Sequence, residues 1–492
     1  ILAQDSSALG PFCWRPSQSG QAITFAMYAA CMDRDPERAA GCQPQPAAAP
    51  HRRRSAGPVA LVLFGAVCSA LGWWRTVGGP PQGRSRSGAA FASPIAAFEV
   101  GRAAGSAAMA GTEVASGVNR LGLMLLSSLH KTSDAGGIFI SPLSISSALG
   151  MVALGATPNG TAKHEILAAW GLSASKADGF LQGLHSRTTD LMIVKKGVQV
   201  LNANSIWCSA SIKTDFIAAA QDAFDAEART LPSSPAPINE WCGKATHGMI
   251  PSIISSIDPL TVAVLVNAVY FKGMWAKQFD SALTSPGTFR SASKGPLPCA
   301  MMKRTDKHMR YAEGADFQVV ELPYGSGGQD DGMSAVVVLP REGTALPDIV
   351  ERLGNPGGVE SLAEMLEQLQ RSHVSLQLPR FKLEFGVHDL KPELRSTFGM
   401  SRVFDGTGEF QGMSDDPELY LSSVFHKAVV EVTEEGTKAS AATAGVMMTR
   451  AAVVFDPPQP MVVDRPFLFL IREVSTGMLL FAGTVENPDL EI

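Results

Sequence analysis

The sequence predicts an α+β fold, because helical spacing comes early in the chain and strand patterns come late. Apolar residues recur at helical spacing over residues 114–129. Residues 261–271 are nearly all apolar and rich in β-branched side chains, which is typical of a strand buried on both faces of a large sheet. Residues 467–472 and 478–483 flank a turn and predict a closing hairpin.

Other elements follow from local patterns along the chain. Ser141-Pro142 opens a second helix, with the proline in its first turn. Residues 198–207 alternate as a strand does, and residues 333–339 predict another strand. The apolar alternation changes phase across Pro379-Arg380, so a bend or bulge is expected there. Residues 425–433 form a last strand, which leads into a segment of small residues.

Composition and charge narrow the classes of partner. The chain has 492 residues, 45% hydrophobic and 18% charged, with a net charge of −5. A negative net charge gives no indication of nucleic-acid binding, and no nucleic-acid partner is expected. The segment after Asn159 carries only Lys163 and His164, so no strong heparin site is expected. Asn159-Gly-Thr161 is the one plausible glycosylation sequon, and it lies in a predicted turn.

Sequence motifs for catalysis, metals and cofactors are missing. There is no GxSxG, HExxH, P-loop or dinucleotide-binding fingerprint, so neither an enzyme nor a cofactor is predicted. The seven cysteines include no CxxC pair and no cluster with metal-ligand spacing. Cys208, Cys242 and Cys299 are an odd number outside the first hundred residues, and unpaired, partly buried thiols are expected.

The first part of the chain differs from the rest. Residues 1–110 are rich in Ala, Gly, Pro, Arg and Ser without periodicity, which predicts a low-complexity leader before a domain at 111–492. A basic cluster precedes an apolar run at 58–71, so a signal peptide or signal anchor is predicted around 51–74 and favours secretion. Translation from Met109 would remove this segment and imply a cytoplasmic protein.

The most informative segment runs from Glu434 to Ala451 and reads EEGTKASAATAGVMMTRA. Its small, mostly uncharged residues cannot build a core of their own, but they could become a strand. Thr437, Ala439, Ala441 and Thr443 would then face one side, which suits a sheet interior. The one charge in this part, Lys438, falls on the other side.

This segment resembles the hinge and reactive-centre loop of the serpins. Four further motifs look like family landmarks, in family order: Ile140-Ser-Pro-Leu-Ser-Ile145, Leu265-Val-Asn-Ala-Val-Tyr-Phe-Lys-Gly-Met-Trp275, Phe425-His-Lys-Ala-Val429 and Met461-Val-Val-Asp-Arg-Pro-Phe-Leu-Phe-Leu-Ile471. The resemblance runs from about residue 113 to the end of the chain. It implies the α+β serpin fold, with three β-sheets, about nine helices and an exposed reactive-centre loop in one domain.

The resemblance also implies a function. Arg450 lies sixteen residues after Glu434, where inhibitory serpins place the residue before the scissile bond, and Ala451 would follow that bond. An arginine there points to trypsin-like serine proteases, whose primary pocket holds a carboxylate. The protein would be a monomer that is consumed once in a covalent complex with the protease. If the register slips, Met447 or Met448 would instead suit chymotrypsin- or elastase-like enzymes.

Three sets of residues take roles by the same resemblance. The hinge comprises Glu434, Glu435, Gly436, Thr437, Lys438, Ala439, Ser440, Ala441 and Ala442. The shutter, a polar cluster at the centre of the main sheet, comprises Ser141, Ser144, Asn267 and His426. The breach, at the top of that sheet, comprises Trp275, Arg380 and Glu434.

Two other classes of function remain to be weighed. A non-inhibitory serpin, acting as a chaperone or ligand carrier, is the alternative; such members tend to have charged, proline-laden or bulky hinges, unlike this one. A hydrolase is disfavoured by the missing motifs. By the same resemblance, the segment between Arg450 and Pro466 is several residues longer than in many serpins, which should alter how the far end of the loop is presented.

Overall fold

The computed structural model describes residues 109–132, 136–192, 197–325, 332–406, 408–437 and 457–488. Nine α-helices lie in these ranges: α1 Gly111–Thr132, α2 Pro142–Gly155, α3 Thr161–Ala169, α4 Ala177–Met192, α5 Thr214–Phe224, α6 Ala236–Ala245, α7 Leu346–Gly354, α8 Gly358–Glu367 and α9 Lys391–Phe398. None of these helices is long and apolar enough to cross a bilayer. The predicted signal segment around 51–74 lies outside the described residues.

Fifteen strands complete the described fold: β1 Gly137–Ile140, β2 Val198–Cys208, β3 Ala226–Thr230, β4 Ala263–Met274, β5 Ser285–Ser291, β6 Gly295–Glu313, β7 Phe317–Pro323, β8 Met333–Pro340, β9 Gln370–Pro379, β10 Phe381–Asp389, β11 Ser423–Val432, β12 Gly436–Thr437, β13 Gln459–Val462, β14 Phe467–Glu473 and β15 Leu479–Val485. The predicted α+β class is confirmed.

The main sheet positions the candidate site. Its strand order is β10-β11-β4-β2-β3, and β12 pairs with β4. β4 and β11 run parallel and β2 runs antiparallel to β4, which sets Asn267 beside both His426 and Asn204. The β4–β11 pairing extends from Ser423↔Val264 to Val429↔Tyr270. The pairing of β4 with β11 ends at Tyr270, and β12 pairs with β4 further along, at Gly273 and Met274.

The remaining strands form one nine-stranded network in the described residues. The resemblance implies three sheets, but two of them are connected here because β6 is 19 residues long. One part of β6 pairs with β5 and β9, and its end pairs with β7. Two hydrogen-bonded networks therefore contain the three sheets that the resemblance implies.

Both faces of β4 are buried, as its apolar sequence predicts. Leu265, Val269 and Phe271 belong to the larger apolar cluster, together with residues of α2. Val266 and Tyr270, on the alternate positions, belong to a smaller cluster with residues of α6. Strand alternation thus directs the odd-numbered residues of β4 toward the main core. A strand added beside β4 would present its residues to these same two faces.

Several local predictions are confirmed. α1 contains the predicted helical stretch, and β14 and β15 pair as the predicted hairpin. The predicted phase change coincides with the break between β9, which ends at Pro379, and β10, which begins at Phe381. Cys208, Cys242 and Cys299 are buried and unpaired.

Candidate functional site

A polar cluster lies at the centre of the main sheet, where β4 and β11 pass over the start of α2. His426 and Asn267 are 0% and 1% exposed. The backbone N–H of Ser141, the N-cap of α2, donates to His426 Nε2 over 3.2 Å. The Ser141 hydroxyl donates to the carbonyl oxygen of Leu480 over 2.6 Å and accepts from the N–H of Ser144. His426 is therefore held between two strands and a helix.

Two asparagines of β2, which the sequence analysis missed, complete this cluster. Asn267 Nδ2 donates to Ser144 Oγ over 2.5 Å and to Asn204 Oδ1 over 2.6 Å. The Ser144 hydroxyl donates to Asn202 Oδ1. Two asparagines at alternate positions in the middle of a mainly apolar strand are the signal that could have revealed them. We use the name shutter for Ser141, Ser144, Asn267 and His426, the set that the sequence predicted.

The tautomer and charge of His426 follow from these contacts. Because Nε2 accepts a hydrogen bond, the ring proton is on Nδ1, which donates to Asn267 Oδ1 over 2.5 Å. Burial, with a smaller contribution from nearby His388, lowers the pKa of His426 to about 3. The imidazole is thus neutral at physiological pH. No base or nucleophile chemistry is required of it, since it is fully hydrogen-bonded.

We expect His426 to make the protein acid-sensitive. An unfolded histidine takes up a proton below about pH 6.5, but folded His426 does so only near pH 3. The free energy of unfolding should therefore fall as pH drops through this window, by roughly 2–3 kcal/mol between pH 7 and 4.5. Urea midpoints of the wild type and His426→Asn at both pH values measure it. Other titrating groups are common to both proteins, so equal pH dependence would contradict the expectation.

An ion pair between a partly exposed arginine and a buried carboxylate lies at the top of the sheet, where β11 ends. Arg380 donates from Nε and Nη2 to the two carboxylate oxygens of Glu434, each over 2.7 Å. Thr284 donates its hydroxyl to Glu434 Oε1 over 2.6 Å. Glu434 is 4% exposed. Burial acts to raise the pKa of this carboxyl, but the hydrogen bonds from Arg380 and Thr284 outweigh it, and the pKa is lowered.

Removing Arg380 is expected to destabilise the native state strongly, because the buried carboxylate of Glu434 would lose its cationic partner. Arg380→Met should cost about 3 kcal/mol, whereas Arg380→Met combined with Glu434→Gln should cost clearly less than the sum of the single changes. Urea midpoints for the four proteins of this cycle measure the coupling. Additive effects would show that the pair contributes no coupling.

The backbone of the hinge is held by a short loop after β4, residues 275–279, which we call the clamp loop. The N–H groups of Trp275 and Phe279 donate to the carbonyl oxygens of Glu435 and Glu434, over 3.0 and 2.9 Å. The Trp275 indole N–H donates to Thr433 O over 2.9 Å, and its ring stacks on Tyr324 at 4.5 Å. The predicted breach residues therefore lie together, around the last turn before the hinge strand.

The hinge is still part of the main sheet at Gly436. Gly436 and Thr437 form β12 and pair antiparallel with Met274 and Gly273. Gly436 has φ +145°, and a Cβ on it would lie 2.2 Å from the Gly273 carbonyl oxygen. Only glycine combines this conformation with so close an approach. The first residues of the hinge therefore already lie against β4.

The remaining predicted site residues fall outside the described ranges. These are Lys438, Ala439, Ser440, Ala441, Ala442, Arg450 and Ala451. The described chain resumes at residue 457, and β13 then pairs in parallel with β9. Asn159 is exposed in a turn with φ +61°, so its sequon is sterically open, and its glycosylation stays a prediction. Among the described residues, no three His, Cys, Asp or Glu side chains are grouped as metal ligands.

Comparison with known proteins gives one family. The family model "Serpin (serine protease inhibitor)" matches residues 116–488. Leukocyte elastase inhibitor of Sus scrofa is 34% identical over 402 residues, covering 75% of this chain and 98% of that protein. Human thyroxine-binding globulin, solved with thyroxine, superposes with a TM-score of 0.68 at 26% identity, over 77% of this chain and 100% of the other. Arabidopsis AtSerpin1 in its native stressed conformation gives 0.67 at 28% identity, over 78% and 100%.

The matched family region does not reach the leader. It begins at residue 116, after the apolar run at 58–71. Secretion is therefore supported neither by the comparisons nor by the described structure. The cytoplasmic alternative, the predicted domain boundary at 110 and the monomeric state likewise stay predictions.

Proposed function

The chain belongs to the serpin family, and on that premise we propose that it is a suicide inhibitor of trypsin-like serine proteases, cleaved between Arg450 and Ala451. Serpins as a family are protease inhibitors and not catalysts, which agrees with the missing enzyme motifs. The family alone does not decide inhibition, because the similar solved structures include a thyroxine-binding globulin. The hinge carries the proposal further.

The observation that carries the proposal is the register of β12 on β4. Thr437 pairs with Gly273, in an antiparallel sense. If the strand continued in this register, Ala439 would lie opposite Phe271, Ala441 opposite Val269 and Thr443 opposite Asn267. Phe271 and Val269 face the main core. The small residues of the loop would thus enter the buried face, where bulk or charge would be excluded.

The opposite face receives Lys438, the one charge from Gly436 to Ala442. In the same register Lys438 would lie opposite Lys272, which is partly exposed near the top of β4. A lysine at that level can keep its ammonium group in water while its stem covers apolar surface. From Gly436 to Ala442 the hinge therefore presents no charged or bulky group to the buried face.

Insertion must open the shutter. A new strand between β4 and β11 would separate Asn267 from His426, whose side chains now share a hydrogen bond of 2.5 Å. Thr443 would arrive at the level of Asn267 and bring a hydroxyl that can both donate and accept. We infer that this exchange lets the buried polar groups keep partners after the strands separate.

The proposed chemistry needs no catalytic group of this chain. The protease serine oxygen attacks the carbonyl carbon of Arg450, and the peptide bond to Ala451 breaks as its nitrogen takes up a proton. This leaves Arg450 as an ester on the protease serine. Insertion of the freed loop then carries the protease along and distorts its active site before water hydrolyses the ester. New strand pairing and burial supply the free energy, as strain stored in the native fold.

A panel of proteases tests the specificity. Trypsin, chymotrypsin and elastase are each titrated with the protein, and the new N-terminus of the released C-terminal fragment is sequenced. The proposal expects trypsin to be inhibited fastest, with Ala451 as the new N-terminus. Preferred inhibition of chymotrypsin or elastase, with cleavage next to Met447 or Met448, would show that the reactive bond is not Arg450–Ala451.

One feature favours the alternative of a ligand carrier. A cavity of about 370 Å³ lies between α1, α8 and the β14–β15 turn, and Arg310 and Arg472 line it. This volume is at the small end for ligand pockets. Both arginines are already paired with Glu321, at 2.8 Å each, so neither guanidinium is left without an anion. We therefore expect no binding of thyroxine in a calorimetric titration; micromolar binding that persists in a hinge variant would favour the carrier.

A further inference from the structure

The clamp loop is fastened to a strand of the other sheet network. Arg304 of β6 is 9% exposed, and its Nη1 donates to the carbonyl oxygen of Lys277. Its guanidinium carbon lies 5.0 Å from the ring centroid of Phe279, as a cation–π contact requires. The Arg304 side chain thus contacts two residues of the clamp loop, and N–H groups of this same loop donate to the hinge.

A second contact on the same strand fastens the same loop. Lys277 Nζ donates to Asp306 Oδ2 over 2.8 Å. Asp306 is held in turn by the N–H of His308, which donates to Oδ1 over 3.1 Å. Because Lys277 is 58% exposed and Asp306 only 17%, this pair is weaker than the buried contact of Arg304. β6 itself is fixed by its antiparallel pairing with β9.

The contacts form a continuous chain from β6 to the hinge. Arg304 holds Lys277 and Phe279, Phe279 N–H holds the Glu434 carbonyl, and Trp275 N–H holds the Glu435 carbonyl. Gly436 follows directly and begins β12. The position of β12 against β4 therefore depends on where the clamp loop lies.

We propose that Arg304 is a positioning residue that holds the clamp loop, and through it holds the hinge in the register from which the reactive-centre loop inserts. This inference rests on the proposed inhibitory function for its kinetic consequence, but not for its structural one. The guanidinium is suited to this task, because its planar fork can donate to a carbonyl and lie over an aromatic ring together, which lysine cannot reproduce.

The kinetic consequence follows from nucleation. Adding a strand is slow until its first residues are ordered, and β12 supplies two ordered residues in advance. When the clamp loop loosens, this nucleus is populated less, and insertion starts later after cleavage. Deacylation by the protease then competes better, so more protein is cleaved for each complex formed.

Hydrogen–deuterium exchange of the whole protein tests the structural step without any protease. In Arg304→Gln, a peptide covering residues 275–279 should exchange about tenfold faster, as expected when the loop loses one hydrogen bond from a buried side chain. Lys303→Gln is the matched control, because it removes a charge from the neighbouring position of β6 and no described contact to the clamp loop. Unchanged exchange in Arg304→Gln would overturn the proposal.

A second variant covers the case in which Arg304→Gln does not fold. Phe279→Leu removes the ring under the guanidinium and leaves the backbone donor in place, so the same peptide should exchange faster, by a smaller factor. Exchange equal to that of the wild type would count against the proposal.

Trypsin titration then tests the kinetic step. The number of molecules cleaved for each complex should rise at least about twofold in Arg304→Gln and stay constant in Lys303→Gln. A faster exchange with an unchanged ratio would overturn the kinetic role. If the wild type forms no complex with trypsin at all, the inhibitory function fails, whereas the exchange result still decides the role of Arg304.

Discussion

Replacement of Thr437 by arginine is expected to turn the protein from an inhibitor of trypsin into its substrate. Thr437 pairs with Gly273, two residues from Phe271 on the face of β4 that packs into the main core. Burial of an unpaired guanidinium costs several kcal/mol, and about 3 kcal/mol would already slow insertion roughly a hundredfold. Deacylation should then win. Trypsin titration should show nearly complete cleavage with little covalent complex.

Thr437→Val provides the control for this change. Valine has nearly the shape of threonine and no charge, so it should enter the sheet and preserve inhibition. If Thr437→Arg inhibits trypsin as the wild type does, Thr437 does not become buried, and the register extrapolated from β12 is wrong. A chaperone or carrier would keep its own activity in both variants.

Replacement of Arg450 by methionine is expected to abolish inhibition of trypsin and create inhibition of chymotrypsin. The carboxylate in the trypsin pocket would no longer have the Arg450 guanidinium as its partner. Such a mismatch should slow the reaction with trypsin roughly 10⁴-fold. The hinge is unchanged, so the ratio of complex to cleaved protein with chymotrypsin should stay high. Second-order rate constants for both proteases measure the switch.

Lys438→Met is the matched control for the Arg450 change. Lys438 is the other cation of the loop, and trypsin could also cleave after it. The reactive-bond assignment expects Lys438→Met to leave trypsin inhibition as it is. If Lys438→Met abolished inhibition and Arg450→Met did not, the reactive bond would lie outside the assigned position.

The sequence predicted the elements that depend on local patterns. Apolar alternation and helical spacing placed β4, α1 and the closing hairpin, because those patterns reflect burial directly. The shutter and breach positions came from the family resemblance. The structure links the shutter residues by hydrogen bonds and pairs Arg380 with Glu434. The roles proposed for them are still predictions.

The features that the sequence could not predict depend on tertiary contacts. No apolar pattern in the sequence marks the pairing of Gly436 and Thr437 with β4, since glycine and threonine also occur commonly in loops. The grip of Trp275 and Phe279 on the hinge uses backbone N–H groups, which every residue except proline has. Arg304 has no sequence feature that distinguishes it from a surface cation, and only the fold buries it against Phe279.

The most direct measurement is to mix the protein with trypsin, resolve the products on a denaturing gel and determine the melting temperature of the loop-cleaved protein. The account predicts a complex that survives denaturant, because an ester joins Arg450 to the protease, and a cleaved form that melts well above the native one, because the inserted loop extends the main sheet. Cleavage without a complex, together with an unchanged melting temperature, would contradict the proposal that this chain inhibits by loop insertion.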